Sequence, residues 1–210
     1  MKIIKGKKIL EITDLEFENI IKNFQKVYLD IGTGDGKFVY KNALEEKYIL
    51  WVGLDPSQKQ LEIFSKKINR KKMTNCLLIL GSIEILPVEL NGKIDKIFVN
   101  YPWGSLLQAI IIPSREIIQS FRNLLKPNGI LEITFGYAKD HEPSETVRLN
   151  LPELSQDIIQ KEIIPKYEFE NLKLIGFNPN VDSGNSTWAK KLLHGRPRTF
   201  YKLSFEKQDI

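Results

Sequence analysis

The sequence predicts one α/β domain built on a parallel sheet, and three observations lead there. Between Val27 and Arg70, strand-length apolar runs alternate with amphipathic stretches of helical length, and crossover helices of that kind join parallel strands. A glycine-rich loop, Gly32 to Gly36, separates the first of these strands from its helix. A length of 210 residues suits one α/β core and falls short of two domains of ordinary size.

The elements follow in order. Ile3 to Ile4 and Ile9 to Ile12 flank Gly6 and read as an N-terminal hairpin spanning residues 1–13, an appendage to the core. An amphipathic helix over Leu15 to Phe24 comes next. The core, 27–135, runs strand (Val27 to Asp30), glycine loop, helix (Lys37 to Glu45), strand (Ile49 to Asp55) and helix (Ser57 to Arg70). Leu77 to Leu80 and Ile94 to Asn100 are further strands, with breakers at Pro87 and Asn91 to Gly92 between them. A helix over Ser114 to Leu125 stops at Lys126-Pro127-Asn128-Gly129, ahead of a fifth strand, Ile130 to Phe135. Lys139 to Pro152 is polar with two prolines, and Leu154 to Pro165 resumes as a helix. The late strands Leu172 to Phe177 and Thr199 to Phe205 enclose a long segment, 178–198. Segments 136–165 and 178–198 are the two late linkers, and irregular stretches of that length usually carry function.

Composition narrows the classes. Hydrophobic residues make up 42% and charged residues 27%, which is globular and excludes collagen-like or mucin-like chains. No apolar run approaches the roughly 20 residues of a membrane span, and the start is punctuated by lysines and carboxylates, so a cytoplasmic protein without membrane contact is expected. One cysteine and two histidines offer neither a disulfide nor metal-ligand spacing, so no metal is expected. The net charge of +5 leans only weakly toward nucleic acid, and the clustering of the bases matters more than their sum.

The loop Asp30-Ile31-Gly32-Thr33-Gly34-Asp35-Gly36 carries the first chemistry. Its glycines permit a sharp turn and close approach of a ligand to the backbone. The pattern is neither the dinucleotide nor the triphosphate fingerprint, and Asp30 and Asp35 are poor company for phosphates. Carboxylates suit a ligand with an ammonium group and hydroxyls. Asp55, ending the second strand, is placed for ribose hydroxyls, and Glu84, past the third, for a further contact from the same crevice. A cationic, ribose-bearing, phosphate-free cofactor is S-adenosylmethionine. The plainer alternative is an ordinary tight turn with Asp55 capping a helix ahead of Pro56.

Ligands in such sheets lie beyond the carboxyl ends of the strands, so Asn100-Tyr101-Pro102-Trp103-Gly104-Ser105 faces the reacting methyl group. Trp103 beside Pro102 is either a stacking platform for a nucleobase or a core residue. Trp188 stands among Lys190, Lys191, His194, Arg196 and Arg198, with Ser186 or Thr187 placed to cap a short helix that Gly195 ends. An aromatic interleaved with cations can hold RNA; it can also be a solvated basic helix anchored by its ring. Lys66, Lys67, Arg70 and Lys71 form one arc of the helix after Asp55, opposite Leu61, Phe64 and Ile68. Together the two clusters could grip a folded RNA on either side of a reacting base.

The loop resembles the first motif of the Rossmann-like class I methyltransferases, which implies a seven-stranded, mostly parallel sheet with helices on both faces and a closing hairpin supplied by the late strands. Over nearly its whole length the chain is similar to the Kam family of aminoglycoside-resistance 16S rRNA methyltransferases, which modify N1 of the decoding-site adenine (1408). The likeness rests on the Lys-Gly-Lys start, Asp30 to Gly36, Gly53 to Pro56, Ser65 to Lys67, Glu84 to Pro87, Pro102-Trp103-Gly104, and Trp188-Ala189-Lys190 through Gly195-Arg196 to Arg198. It implies that Trp103 and Trp188 clamp the flipped adenine, with Pro102 between the strand and its ring. Asp30, Gly32, Gly34, Gly36, Asp55 and Glu84 would hold S-adenosylmethionine, released as S-adenosylhomocysteine, with Ser105 and Ser186 near the reaction centre. Lys66, Lys67, Arg70, Lys71, Lys191, Arg196 and Arg198 would bind rRNA or brace the linker. The expected partner is the 30S subunit, and the expected state a monomer. Asn100 departs from the family, which carries an apolar residue there, and approaches the Asn-Pro-Pro-aromatic motif of enzymes that methylate exocyclic amines; Tyr101 in place of the first proline argues against that class. Arg148 stands near, but not in register with, a family arginine. The alternatives are a tRNA (guanine-N7) methyltransferase, which shares the proline-tryptophan, and a non-catalytic RNA-binding protein with a vestigial pocket.

Overall fold

The computed structural model describes residues 1–181 and 199–209. One nine-stranded sheet runs through them in the order β2-β1-β5-β4-β3-β6-β7-β9-β8. The strands are β1 (Lys2–Lys5), β2 (Lys8–Glu11), β3 (Lys26–Ile31), β4 (Ile49–Asp55), β5 (Cys76–Leu80), β6 (Ile94–Asn100), β7 (Leu125–Phe135), β8 (Leu172–Asn178) and β9 (Tyr201–Lys207). The five from β5 to β7 pair in parallel, while β9 and β8 add antiparallel at one edge. The chain builds outward from β3 through β4 to β5, then crosses back to place β6 on the other side of β3. That reversal opens a crevice at the carboxyl ends of β3 and β6.

Alternation along the strands sorts the side chains onto two faces. Val27, Leu29, Ile31, Val52 and Leu54 pack in one core with Leu107 and Ile110 of α4 (Ser105–Ile111) and Ile118 and Phe121 of α5 (Arg115–Leu124), numbering helices in chain order. On the opposite face, Trp51, Leu78 and Phe98 meet Val39 and Ala43 of α2 (Lys37–Glu45) and Leu61 and Ile68 of α3 (Gln58–Arg70). Burying Leu61, Phe64 and Ile68 stabilises α3 by about 1.5–3 kcal/mol per side chain, and Ser57 caps it by accepting from the Gln60 N–H. The first helix, α1 (Asp14–Ile21), starts at a reciprocal capping box between Thr13 and Glu16 and buries Phe17.

Several expectations need revision. The N-terminal hairpin is no appendage: β1 pairs antiparallel with β5 through Ile3 and Ile79, both buried, so the seven expected strands become nine in one sheet. Its tip is pinned where the Gly6 N–H donates to Ser65 Oγ at 2.8 Å and Ser65 Oγ donates to the Ile4 carbonyl at 2.9 Å. Strand β7 begins at Leu125, five residues early, because Leu125 pairs with Ile94 and the Lys126–Gly129 turn bulges out of register before pairing resumes at Ile130. The late helix does not stop at Pro165. From α7 (Gln156–Ile158) the chain continues through a π-helical turn (Ile159–Ile163) into α8 (Ile164–Phe169), and the widened turn lies just ahead of the proline, which has no N–H to donate. The polar stretch after β7 contains a short helix, α6 (Pro143–Arg148), and α4 follows Gly104 directly; neither was expected.

Candidate active site

The glycine loop leaves β3 at the switch point. The Gly32 and Thr33 N–H groups donate to the Leu54 carbonyl at 2.8 and 3.0 Å, binding the loop to the end of β4. Gly32 has φ +76°, and a Cβ there would lie 2.5 Å from Leu106 Cδ2, so the position requires glycine. Gly36, at φ +81°, is the N-cap of α2 and sits against Leu78. Around Gly34 the space a side chain would fill is open, and its N–H points at Asp55.

Asp55 is held from two sides. Its Oδ2 accepts from the Gly34 N–H at 2.9 Å and its Oδ1 from the Ser57 N–H at 2.8 Å. A carboxylate has about four acceptor positions, so each oxygen keeps one for a ligand hydroxyl. The helix cap that stood as the alternative for Asp55 is Ser57 instead; Asp55 accepts the Ser57 N–H just ahead of the helix, and that bond orients the carboxylate. Asp30 is 2% exposed, and burial pushes its carboxyl up to about 7; the Thr33 hydroxyl and Asn100 amide pull the other way, while Asp55 pushes further. Asn100 Nδ2 donates to Asp30 Oδ1 at 3.1 Å. No cation among the described residues acts on Asp30.

Glu84 and Ser105 converge from different elements. Hydrogen bonds from the Ser82 hydroxyl first, and from Ser105 as well, hold the exposed Glu84 carboxyl below its ordinary range. Trp103 is 37% exposed, unlike a core tryptophan, whereas Pro102 beside it is buried. Two left-handed residues frame the pair, Tyr101 at φ +50° and Gly104 at φ +61°. The Tyr101 N–H donates to the Thr134 carbonyl at 2.7 Å and its ring meets Phe200 edge-on at 5.0 Å. Such strain, held by surrounding contacts, is typical of functional turns. Cys76 offers no nucleophile, since burial pushes its thiol up to about 12. Among the described residues no group of three His, Cys, Asp or Glu is placed to hold a metal.

Lys66, Lys67, Arg70 and Lys71 are exposed on α3 as the helical period required. Lys66 pairs with Glu62 at 3.3 Å, and the Lys67 ammonium lies 4.0 Å over the Phe64 ring. The pinned hairpin tip brings Lys5, Lys7 and Lys8 beside them, bordering a depression shared with Asn69. The Lys-Gly-Lys start was the sequence signal for this, but only the bond to Ser65 shows which helix those lysines join. Arg148 forks onto Glu145 at 2.9 and 2.7 Å on α6. Ser186, Trp188, Lys191, Arg196 and Arg198, with Thr187, Lys190, His194 and Gly195, lie outside the described residues.

Residues 2–206 match the family model described as NpmA: 16S rRNA (adenine(1408)-N(1))-methyltransferase. The Escherichia coli 16S rRNA (adenine(1408)-N(1))-methyltransferase is 34% identical over 217 residues, 97% of each chain. Among solved structures, the aminoglycoside resistance methyltransferase NpmB1 superposes with a TM-score of 0.86 at 33% identity, over 98% of both chains. A tryptophan-to-alanine variant of the Catenulisporales acidiphilia 16S rRNA (adenine(1408)-N(1))-methyltransferase, with cosubstrate SAM, superposes with a TM-score of 0.88 at 25% identity, over 100% of this chain and 97% of that one. Likeness to the Oenococcus oeni tRNA (guanine-N(7)-)-methyltransferase is weaker, 27% identity over 62% of each chain.

Proposed function

Because the chain belongs to the 16S rRNA (adenine(1408)-N(1))-methyltransferase family, we propose that its crevice serves methyl transfer from S-adenosylmethionine to N1 of adenine 1408 in the 30S subunit, conferring aminoglycoside resistance. The observation that carries the reading is Asp30, a buried carboxylate at the foot of the glycine loop with no cationic partner among the described residues. An ammonium group meets that need, and Asp55, with one acceptor position free on each oxygen, meets two ribose hydroxyls. The residues present thus fit the cofactor. When bound, S-adenosylmethionine supplies a sulfonium methyl, and transfer to N1 moves the positive charge from sulfur to the base.

The chain's own part is binding and alignment. Adenine N1 already has an in-plane lone pair and no proton to lose, so no general base is required. Trp103, partly exposed just beyond the carboxyl end of β6, stacks the flipped adenine, with Trp188 as its partner ring. Ser105 and Glu84 close the side of the pocket beside the α4 N-terminus, and Ser186 is a further candidate contact to the cofactor. The basic face of α3, the hairpin tip, Lys191, Arg196 and Arg198 hold the RNA backbone, and a monomer suffices. The test is incubation with 30S subunits and labelled cofactor, followed by primer extension. A stop at adenine 1408 is expected, since an N1 methyl blocks pairing; label incorporation with read-through at that base would contradict the reading.

A further inference from the structure

Asn100 closes β6 just ahead of the Tyr101 turn, and its amide nitrogen is already engaged. It ends β6 on the sheet face that also carries Phe98, and Asp30 lies on that face beside it in the adjacent strand. A cavity of about 480 Å³ on this face is lined by Asn100 and Tyr101 together with Phe98 and Lys96. Immediately after Asn100 the backbone turns through a left-handed residue, Tyr101 at φ +50°. Within this arrangement the amide nitrogen donates to Asp30 at 3.1 Å.

We propose that Asn100 is a positioning residue for the cofactor: its hydrogen bond fixes the Asp30 carboxylate to receive the ammonium group of S-adenosylmethionine, and the choice of N1 as target atom does not depend on it. This rests on the function proposed above. The groups facing Asp30 are Asp55 from the end of β4, Thr33 from the loop and Asn100 from β6. Asn100 favours the charged carboxylate and Asp55 opposes it. Removing the amide therefore leaves Asp30 protonated to higher pH, and a neutral carboxyl attracts an ammonium group far less.

The experiment compares the parent enzyme with Asn100→Ala and Asn100→Ser, measuring the S-adenosylmethionine dissociation constant by calorimetry from pH 6 to 8.5, then kcat and KM on 30S subunits over the same range, and mapping the product. Circular dichroism establishes folding, and the serine variant carries the test if the alanine variant does not fold. The expected result is a dissociation constant and a KM raised roughly 3- to 30-fold at pH 6, with the midpoint of the kcat/KM profile moved upward. At saturating cofactor kcat stays within about twofold, and primer extension still stops at the same base. An unchanged KM and pH profile, a fall in kcat alone, or a product that the polymerase reads through would overturn the proposal. The parent separates the two readings: if it makes no N1 methyl, the proposed function fails; if it does and the variants behave otherwise than expected, only the role of Asn100 fails.

Discussion

The crevice at β3 and β4 and the basic face of α3 are built by opposite means. In the crevice, two carboxylates are buried or half-buried and fixed by the Gly34 and Ser57 N–H groups and the Asn100 amide, so orientation is set before any ligand arrives. On α3 and at its C-cap, Lys66, Lys67, Arg70 and Lys71 stand in solvent, with one weak ion pair and two ring contacts among them. The first region recognises a small cation at short range, where burial strengthens each contact. The second meets an extended polyanion whose phosphates it must match only in number and spacing. A net charge of +5 averages these two fields and reveals neither.

That contrast orders the expected effects of substitution. Asp55→Asn loses the charge at a site held by two backbone donors, and the cofactor dissociation constant should rise by roughly 10- to 100-fold in calorimetry, as removal of a charge-assisted hydrogen bond implies. Trp103→Ala removes a stacking interaction on the order of 1–3 kcal/mol, so methylation of 30S subunits should fall about 5- to 150-fold while cofactor affinity stays within about twofold. Lys67→Ala with Arg70→Ala should leave cofactor binding alone and lower the slope of log affinity for 30S subunits against log salt by about 0.7–0.9 for each phosphate no longer neutralised. The smallest effect belongs to Arg148→Ala. Its ion pair with Glu145 is exposed, so the melting temperature should hold and the 30S salt slope should not move.

Much of the crevice was legible because it is local. Asp30 to Gly36 lies between a strand and a helix adjacent in sequence, and Asp55 ends the next strand, so spacing and glycine placement sufficed. What escaped depended on contacts far apart in the chain. Ile3 reaching Ile79 turns the hairpin into a sheet edge, and Ser65 bonding Gly6 and Ile4 seats its lysines beside α3. Asn100 reaching Asp30 spans 70 positions, and no periodicity signals it. Helix α8 continues through Pro165 because a π-helical turn precedes it, an accommodation that local propensity does not anticipate. Trp103 was open to two readings in the sequence, and its exposure favours the platform over the core.

Whether the buried acid Asp30, without a cation of its own, receives the ammonium group of S-adenosylmethionine is decided by titrating the cofactor into the protein at pH 6 and pH 8 in buffers of different ionisation enthalpy. With Asp30 near 7, the free protein carries a proton there at pH 6 and has mostly lost it by pH 8. Binding at pH 6 should release close to one proton, with an affinity several-fold to about tenfold weaker than at pH 8. An affinity equal at both values, with no proton released at pH 6, would mean that Asp30 does not hold the ammonium group.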